Sequence, residues 1–144
     1  MNFEDLAAVD AAYIAGLIDG EGTITLTRKH RNENRQLAVS ISSTERNLLE
    51  YVKETLDAGK ITRKRITQPQ HTPSFTYAVY NRQALWLLAQ VKPYLRGYKA
   101  GRTRLILRDY LRLTPRNGKY TEQLQLERTA FETTVLNIKP IHSG

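Results

Sequence analysis

Tyr13-Ile14-Ala15-Gly16-Leu17-Ile18-Asp19-Gly20-Glu21-Gly22 decides how this chain is read. At helical spacing the segment carries bulky Tyr13, Ile14, Leu17 and Ile18 on one side, and small Ala12, Ala15, Gly16 and Asp19 at i, i+3, i+4 and i+7 on another. The bulky stripe is expected to bury. The small one lets a second helix approach almost backbone to backbone, most economically an identical copy across a twofold axis. Gly20 and Gly22 are expected to end the helix and bracket Glu21, so a carboxylate leaves at the C-terminal tip, where the macrodipole is already negative. Two such tips side by side gather two Glu21 carboxylates in one small volume, which calls for a divalent cation or a shared proton. The plain alternative is a buried amphipathic helix that ends in a glycine turn.

Downstream, residues 23–29 alternate strictly, with Ile24 and Leu26 on one face and Thr23, Thr25, Thr27 and Lys29 on the other. Residues 30–35 are a polar, basic tip that includes Arg31 and Arg35, and residues 36–42 alternate again with Leu37, Val39 and Ile41 inward. Together they read as a long hairpin. Its outward face holds Thr23, Thr25, Thr27, Lys29, Gln36, Ala38, Ser40 and Ser42, hydrogen-bonding or short side chains almost free of acids. Such a ribbon fits a major groove, whereas an ordinary solvated sheet face usually carries more glutamate.

Thr44 is expected to cap a helix ending at Leu56, with Leu48, Leu49, Val52 and Leu56 as its apolar stripe and Gly59 in the turn that follows. Residues 60–66 read as a basic strand with Ile61 toward the core and Thr62 and Lys64 opposite. A loop with Pro69 and Pro73 leads to a last strand over 75–80, which adds Thr76 to the outward set. Helices are expected over about 82–91, 98–113 and 121–136, the first broken by Lys92-Pro93. The order helix, two strands, helix, two strands, helix is α+β, with a four-stranded antiparallel sheet covered on one face and extra C-terminal helices, in a single domain spanning 1–144.

Composition bounds the partners. Twenty-two Lys plus Arg against 14 Asp plus Glu give a net charge of +8 and a pI near 9.9, which favours polyanions and leaves DNA against RNA open. The absence of cysteine removes disulfides, thiolate zinc sites and cysteine nucleophiles. The N-terminus lacks the basic start of a secretory signal and no apolar run reaches membrane-spanning length, so an intracellular protein without membrane partners is expected.

Ile14-Ala15-Gly16-Leu17-Ile18-Asp19-Gly20-Glu21-Gly22 resembles the core motif of the LAGLIDADG homing endonucleases, with Ile14 in place of a leucine, Gly20 of an alanine and Glu21 of the more usual aspartate. The resemblance runs from about Ala11 to Leu113 and implies an αββαββα fold whose sheet forms a DNA-binding saddle. One copy of the motif implies a homodimer, with Ala12, Ala15, Gly16 and Asp19 at the interface. It further implies that Glu21 and the backbone carbonyl of Gly20 hold magnesium or another divalent cation near the dimer axis, Asp19 capping or bridging the helix ends. Pro93-Tyr94-Leu95-Arg96-Gly97-Tyr98-Lys99 is similar to the family segment that delivers a lysine, so Lys99 is expected to stabilise developing negative charge or to organise proton-transferring water. For the polar residue near the end of the second strand, Ser42, Ser43 and Arg46 are candidates, Arg46 being taken as the third catalytic residue.

The activity implied is site-specific hydrolysis of double-stranded DNA at a long pseudo-palindromic site, in the service of a mobile intron or intein. The alternatives are an RNA maturase that assists splicing and a DNA-binding regulator that does not cut. Glu21 favours cleavage, because a pure binder does not need acids pressed against phosphate. His30, His71 and His142 lack metal-ligand spacing and read as exposed, and Trp86 and Tyr94 read as core. The run Arg96, Lys99, Arg102, Arg104 and Arg108 could hold phosphates or merely solvate a helix face.

Overall fold

The computed structural model describes residues 3–64 and 72–141. Helix α1 (Ala8–Glu21) runs straight into strand β1 (Gly22–Thr27), and β2 (Gln36–Ser43) returns antiparallel with Thr23 opposite Ser40, Thr25 opposite Ala38 and Thr27 opposite Gln36. Helix α2 (Arg46–Leu56), β3 (Lys60–Arg63), β4 (Phe75–Tyr80) and α3 (Asn81–Val91) repeat the pattern, and α4 (Lys99–Asp109) and α5 (Glu122–Asn137) follow. The sheet is antiparallel in the order β1-β2-β4-β3, so β4 returns between β2 and β3.

Period-two alternation sets which face buries. Ile24, Leu26, Leu37, Val39, Ile41, Tyr77 and Val79 point under the sheet, where Ile14, Ile18, Leu49, Val52, Leu56, Leu87, Leu88 and Ile106 from the helices complete one core. All helices therefore lie on one side, and the opposite face of the sheet stays open. Two glycines are required by close approach. A Cβ on Gly22 would stand 2.7 Å from Ile18 Cα and 2.9 Å from its carbonyl oxygen, which is how the chain folds from helix into strand without a loop. Gly59 has φ 93 and lies beneath the Tyr77 ring, whose hydroxyl donates to the Ala58 carbonyl.

Several boundaries differ from the sequence reading. β1 stops at Thr27, so Lys29 belongs to the hairpin tip and not to the pleated face. The N-cap of α2 is Glu45, not Thr44, and the local bond runs instead from the Glu45 N–H to Ser43 Oγ at 3.0 Å. α4 ends at Asp109 and gives way to turns that carry Leu113 into the core. Thr121 does cap α5, accepting from the Leu124 N–H at 3.1 Å. Tyr94, expected in the core, is exposed in the 3₁₀ turn Lys92–Tyr94. The end of the strand expected over 60–66, the Pro69 part of the loop, His71 and His142 lie outside the described residues. Among the described residues no helix is long and apolar enough to cross a membrane.

Candidate active site and nucleic-acid interface

The tip of α1 is built so that its two acids, on either side of Gly20, are placed differently. Gly22 turns the chain outward, and Glu21 just before it is exposed, with no hydrogen bond or ion pair to the described residues. Asp19 points back into the protomer, where its two carboxylate oxygens accept from the backbone N–H groups of Arg96 (2.9 Å) and Gly97 (3.2 Å). These bonds tie the end of α1 to the segment before α4 within one copy.

Those bonds hold the segment that delivers Lys99. Lys99 begins α4, is only 7% exposed, and donates from Nζ to the carbonyl oxygens of Ile18 (2.7 Å) and Asp19 (3.1 Å). A cation at the C-terminal end of a helix is favourable in itself, and on the Ile18 carbonyl it adds a second donor to the Gly22 N–H. Burial lowers the Lys99 pKa from its ordinary 10.5, and Arg102 pushes the same way; the negative charges of Asp19 and Glu21 oppose both. One ammonium therefore senses Glu21 directly while clasping the turn that presents it.

The donor set fits a divalent cation only in part within one copy. Among the described residues no group of three or more His, Cys, Asp or Glu side chains could hold a metal. Glu21 offers one free carboxylate, and the carbonyl of Gly20 follows directly on the two that Lys99 takes. A second Glu21 tip beside the first would supply the missing hard oxygen ligands, the donors that magnesium prefers.

Arg46 is exposed at the start of α2. Its guanidinium donates from Nε to Glu50 Oε1 at 2.9 Å and lies over the Phe75 ring at 5.2 Å, beside a separate surface cleft lined by Glu50, Lys53, Glu54 and Asp57. Of the other two candidates for the second-strand position, Ser43 accepts from the Glu45 N–H and Ser42 shares a 2.9 Å hydrogen bond with Thr76 across β2 and β4. No catalytic partner from that strand is thereby defined.

On the open face of the sheet, cross-strand rows place Thr27 beside Gln36, Thr25 beside Ala38 and Tyr80, Thr23 beside Ser40, Ala78 and Lys60, and Ser42 beside Thr76 and Thr62. No carboxylate stands in these rows. Ala38 is buried between its neighbours, so it contributes shape rather than contact. Lys64 is exposed beyond the end of β3, where its N–H donates to the Ser74 carbonyl at 2.8 Å. Lys29 and Arg31 are exposed at the hairpin tip. Arg35 is drawn back by Glu132, which accepts from its N–H at 3.1 Å and lies 3.8 Å from its Nε.

The small-residue stripe of α1 is rotated by one position from the expected one. Ala11, Ile14, Ala15 and Ile18 form the buried face, Ala15 with no exposure at all. The open face is Val9, Ala12, Tyr13, Gly16 and Gly20, and a Cβ on either glycine would meet nothing within 4 Å. Tyr13, expected in the core, is 49% exposed and stacks edge-on against Tyr51.

Two buried arginines had no signal in charge or periodicity. Arg102 donates to the carbonyls of Ile24, Leu136 and Ile138, tying α4 to β1 and to the end of α5. Arg128, 2% exposed, donates to Glu132 Oε2 at 2.9 Å, to Thr114 Oγ1 and to the carbonyls of Leu113 and Arg35, so α5 grips the base of the β1–β2 hairpin. Of the basic run before and along α4, Lys99 and Arg102 thus turn inward onto backbone carbonyls, while Arg96, Arg104 and Arg108 remain exposed.

An open antiparallel sheet over two αββ units, with an acid at the helix-to-strand junction, defines the LAGLIDADG class of fold. The family model of the LAGLIDADG-like domain matches residues 8–101, and the chain belongs to that family. Among similar solved structures is the homing endonuclease I-CvuI in complex with its target in the presence of calcium, 17% identical, with a TM-score of 0.74 over 94% of this chain and 85% of that one. The archaeal intron-encoded homing endonuclease I-Vdi141I complexed with DNA is 20% identical, with a TM-score of 0.67 over 94% and 87%. The LAGLIDADG meganuclease I-AabMI bound to uncleaved DNA is 21% identical, with a TM-score of 0.66, and the match covers 92% of this chain but 46% of that one. No curated protein sequence matches this chain.

Proposed function

We propose that this chain is a site-specific, divalent-metal-dependent DNA endonuclease that acts as a homodimer on a long, pseudo-palindromic duplex. The observation that carries the reading is Glu21: a carboxylate without hydrogen-bond partners among the described residues, two residues before the acid-free sheet face, at a tip clasped by a buried ammonium. A domain that only bound DNA would be repelled by an acid placed there. The open stripe of Val9, Ala12, Tyr13, Gly16 and Gly20 supports pairing of α1 with its own copy, which would bring two Glu21 carboxylates together. The nuclease names of the similar structures agree with this assignment.

In this reading Glu21 of each copy, with the Gly20 carbonyl, holds magnesium or a similar cation, which when bound supplies charge neutralisation at the scissile phosphate and at the leaving oxygen. Lys99 keeps the α1 tip in place and adds positive potential at its base. Asp19 fixes the loop that carries Lys99. Thr23, Thr25, Thr27, Gln36, Ser40, Ser42, Thr62 and Thr76 present hydrogen-bonding groups to base edges, and Lys29, Arg31 and Lys64 contact phosphates. Arg35 is an anchor of the hairpin, and Arg46 is given no role in the chemistry.

The test is a cleavage assay on a randomised duplex library with magnesium, comparing the wild-type chain with Glu21→Gln. Expected are a palindromic consensus cut in both strands by the wild type, and binding of the same consensus without cutting by Glu21→Gln. Equal binding with no cutting by either would sink the enzyme reading in favour of a regulator. A salt-resistant preference for intron RNA over duplex DNA would favour the maturase.

A further inference from the structure

Leu37, Tyr110, Asn81 and Gln36 form one chain of hydrogen bonds that runs from the helix layer to the outward face of the sheet. The Leu37 N–H donates to Tyr110 Oη at 3.1 Å, the Tyr110 hydroxyl donates to Asn81 Oδ1 at 2.9 Å, and Asn81 Nδ2 donates to Gln36 Oε1 at 3.1 Å. Its first member fixes the direction. A backbone amide only donates, so the Tyr110 oxygen that accepts from Leu37 sends its single proton onward, and the Asn81 atom that receives it has to be the carbonyl oxygen. The amino group of Asn81 then faces Gln36, and Gln36 has to answer with its own oxygen.

What remains at the exposed end is Gln36 Nε2, with two protons and no acceptor to offer. The relay is anchored at both turns. Tyr110 is buried, with the Arg128 guanidinium 4.9 Å from its ring and Phe131 beside it. Asn81 begins α3 at φ 51, a left-handed conformation that asparagine tolerates better than most residues, and its side chain bonds on both sides. Gln36 itself lies on the outward row opposite Thr27.

We propose that Gln36 is a polarity-locked donor that selects guanine at one position of each half-site. The proposal rests on the DNA-reading role given to the sheet above. A free glutamine amide pairs with adenine through both of its ends, accepting from N6 and donating to N7. Gln36 has its oxygen turned toward Asn81 and directs its two Nε2 protons outward, a pattern that matches the adjacent O6 and N7 acceptors of guanine. Cytosine, whose major-groove edge offers the N4 donor, is the base it suits least.

Site selection from a randomised duplex library, run with the wild-type chain and three variants, tests the lock. Gln36→Ala marks the position read by Gln36, as the one whose preference it abolishes. There the wild type is expected to take guanine over adenine by about fivefold or more. Asn81→Asp puts an acceptor on both sides of the relay: it still receives the Tyr110 proton but now draws the Gln36 amino group inward, turning the oxygen out. Its preference is expected to move to adenine or cytosine. Tyr110→Phe removes the middle of the relay and is expected to bring the guanine-to-adenine ratio toward one.

A guanine preference absent in the wild type, or unchanged in Asn81→Asp and Tyr110→Phe while Gln36→Ala still alters that position, overturns the lock and leaves the endonuclease reading intact. No selected sequence with any chain overturns both. Nitrogen-15 spectra of the wild-type chain without DNA serve where a variant fails to fold. The Asn81 side-chain amide resonance is expected to shift on Gln36→Ala, and an unmoved resonance overturns the lock.

Discussion

The ammonium of Lys99 closes the C-terminal end of α1 from a different helix, donating to the carbonyl oxygens of Ile18 at 2.7 Å and Asp19 at 3.1 Å. The residue after those carbonyls is Gly20, and the next is Glu21. One buried charge thus couples the stability of the helix tip to the position of the acid beside it.

This coupling has a pH signature. Burial lowers the Lys99 pKa in the folded chain below 10.5, so between that lowered value and 10.5 the unfolded chain keeps a proton that the folded chain has released. Stability contributed by this group therefore rises with pH across that window, and that contribution is expected to be lost in Lys99→Met. Denaturant titrations at stepped pH read the difference. Glu21→Gln removes one of the attractions that hold the Lys99 pKa up, so the titration of its side chain, followed by NMR, is expected to move further down.

Asp19→Asn keeps the shape of the side chain but leaves one acceptor oxygen for the two N–H groups of Arg96 and Gly97. We expect a loss of about 1 kcal/mol in stability. The Lys99 loop loosens, so single-turnover cleavage is expected to slow by about tenfold or more while duplex binding is retained. Unchanged cleavage would mean that the loop contributes nothing to the chemistry.

Two glycines of the same motif are predicted to respond in opposite ways. Gly22→Ala forces a Cβ against the backbone of Ile18 and is expected to cost about 1–3 kcal/mol of protomer stability. Gly16→Leu meets open space within the protomer, so its fold should hold to within about 0.5 kcal/mol. If α1 pairs with its copy, however, Gly16→Leu obstructs the contact, and sedimentation should show monomers at concentrations where the wild type is dimeric. An undisturbed dimer would place the interface elsewhere.

Arg128→Met is expected to destabilise the chain by about 3–5 kcal/mol, because it leaves the buried Glu132 carboxylate with Arg35 as its one cation among the described residues and takes the donor from the carbonyl oxygens of Leu113 and Arg35. Pairing it with Glu132→Leu should recover part of that loss. Urea denaturation of the single and double variants measures the coupling, and strict additivity would contradict it.

The architecture was legible where one physical rule acted alone. Alternation in residues 23–29 and 36–42 placed Ile24, Leu26, Leu37, Val39 and Ile41 inward, because a half-buried strand has only two faces. The α1 stripe misled by one position, since small residues suit either a partner helix or a closely packed core, and Ala15 went to the core while Tyr13 came out. The burial of Lys99, Arg102 and Arg128 was hidden for a different reason. Their partners are backbone carbonyls and a carboxylate brought together from distant segments, and a buried cation has the same local sequence as a solvated one. Arg46 carries contacts that its place near the end of β2 did not announce, with a glutamate four residues on and with the Phe75 ring.

The most direct measurement uses two copies of the chain joined by a flexible linker, one copy carrying Glu21→Gln, on a selected duplex labelled at both ends with magnesium present. If each copy contributes its acid to cleavage, the joined wild-type pair should cut both strands, and the half-substituted pair should bind equally well but yield nicked or intact duplex. Double-strand cutting at the wild-type rate by the half-substituted pair would contradict the paired-acid site.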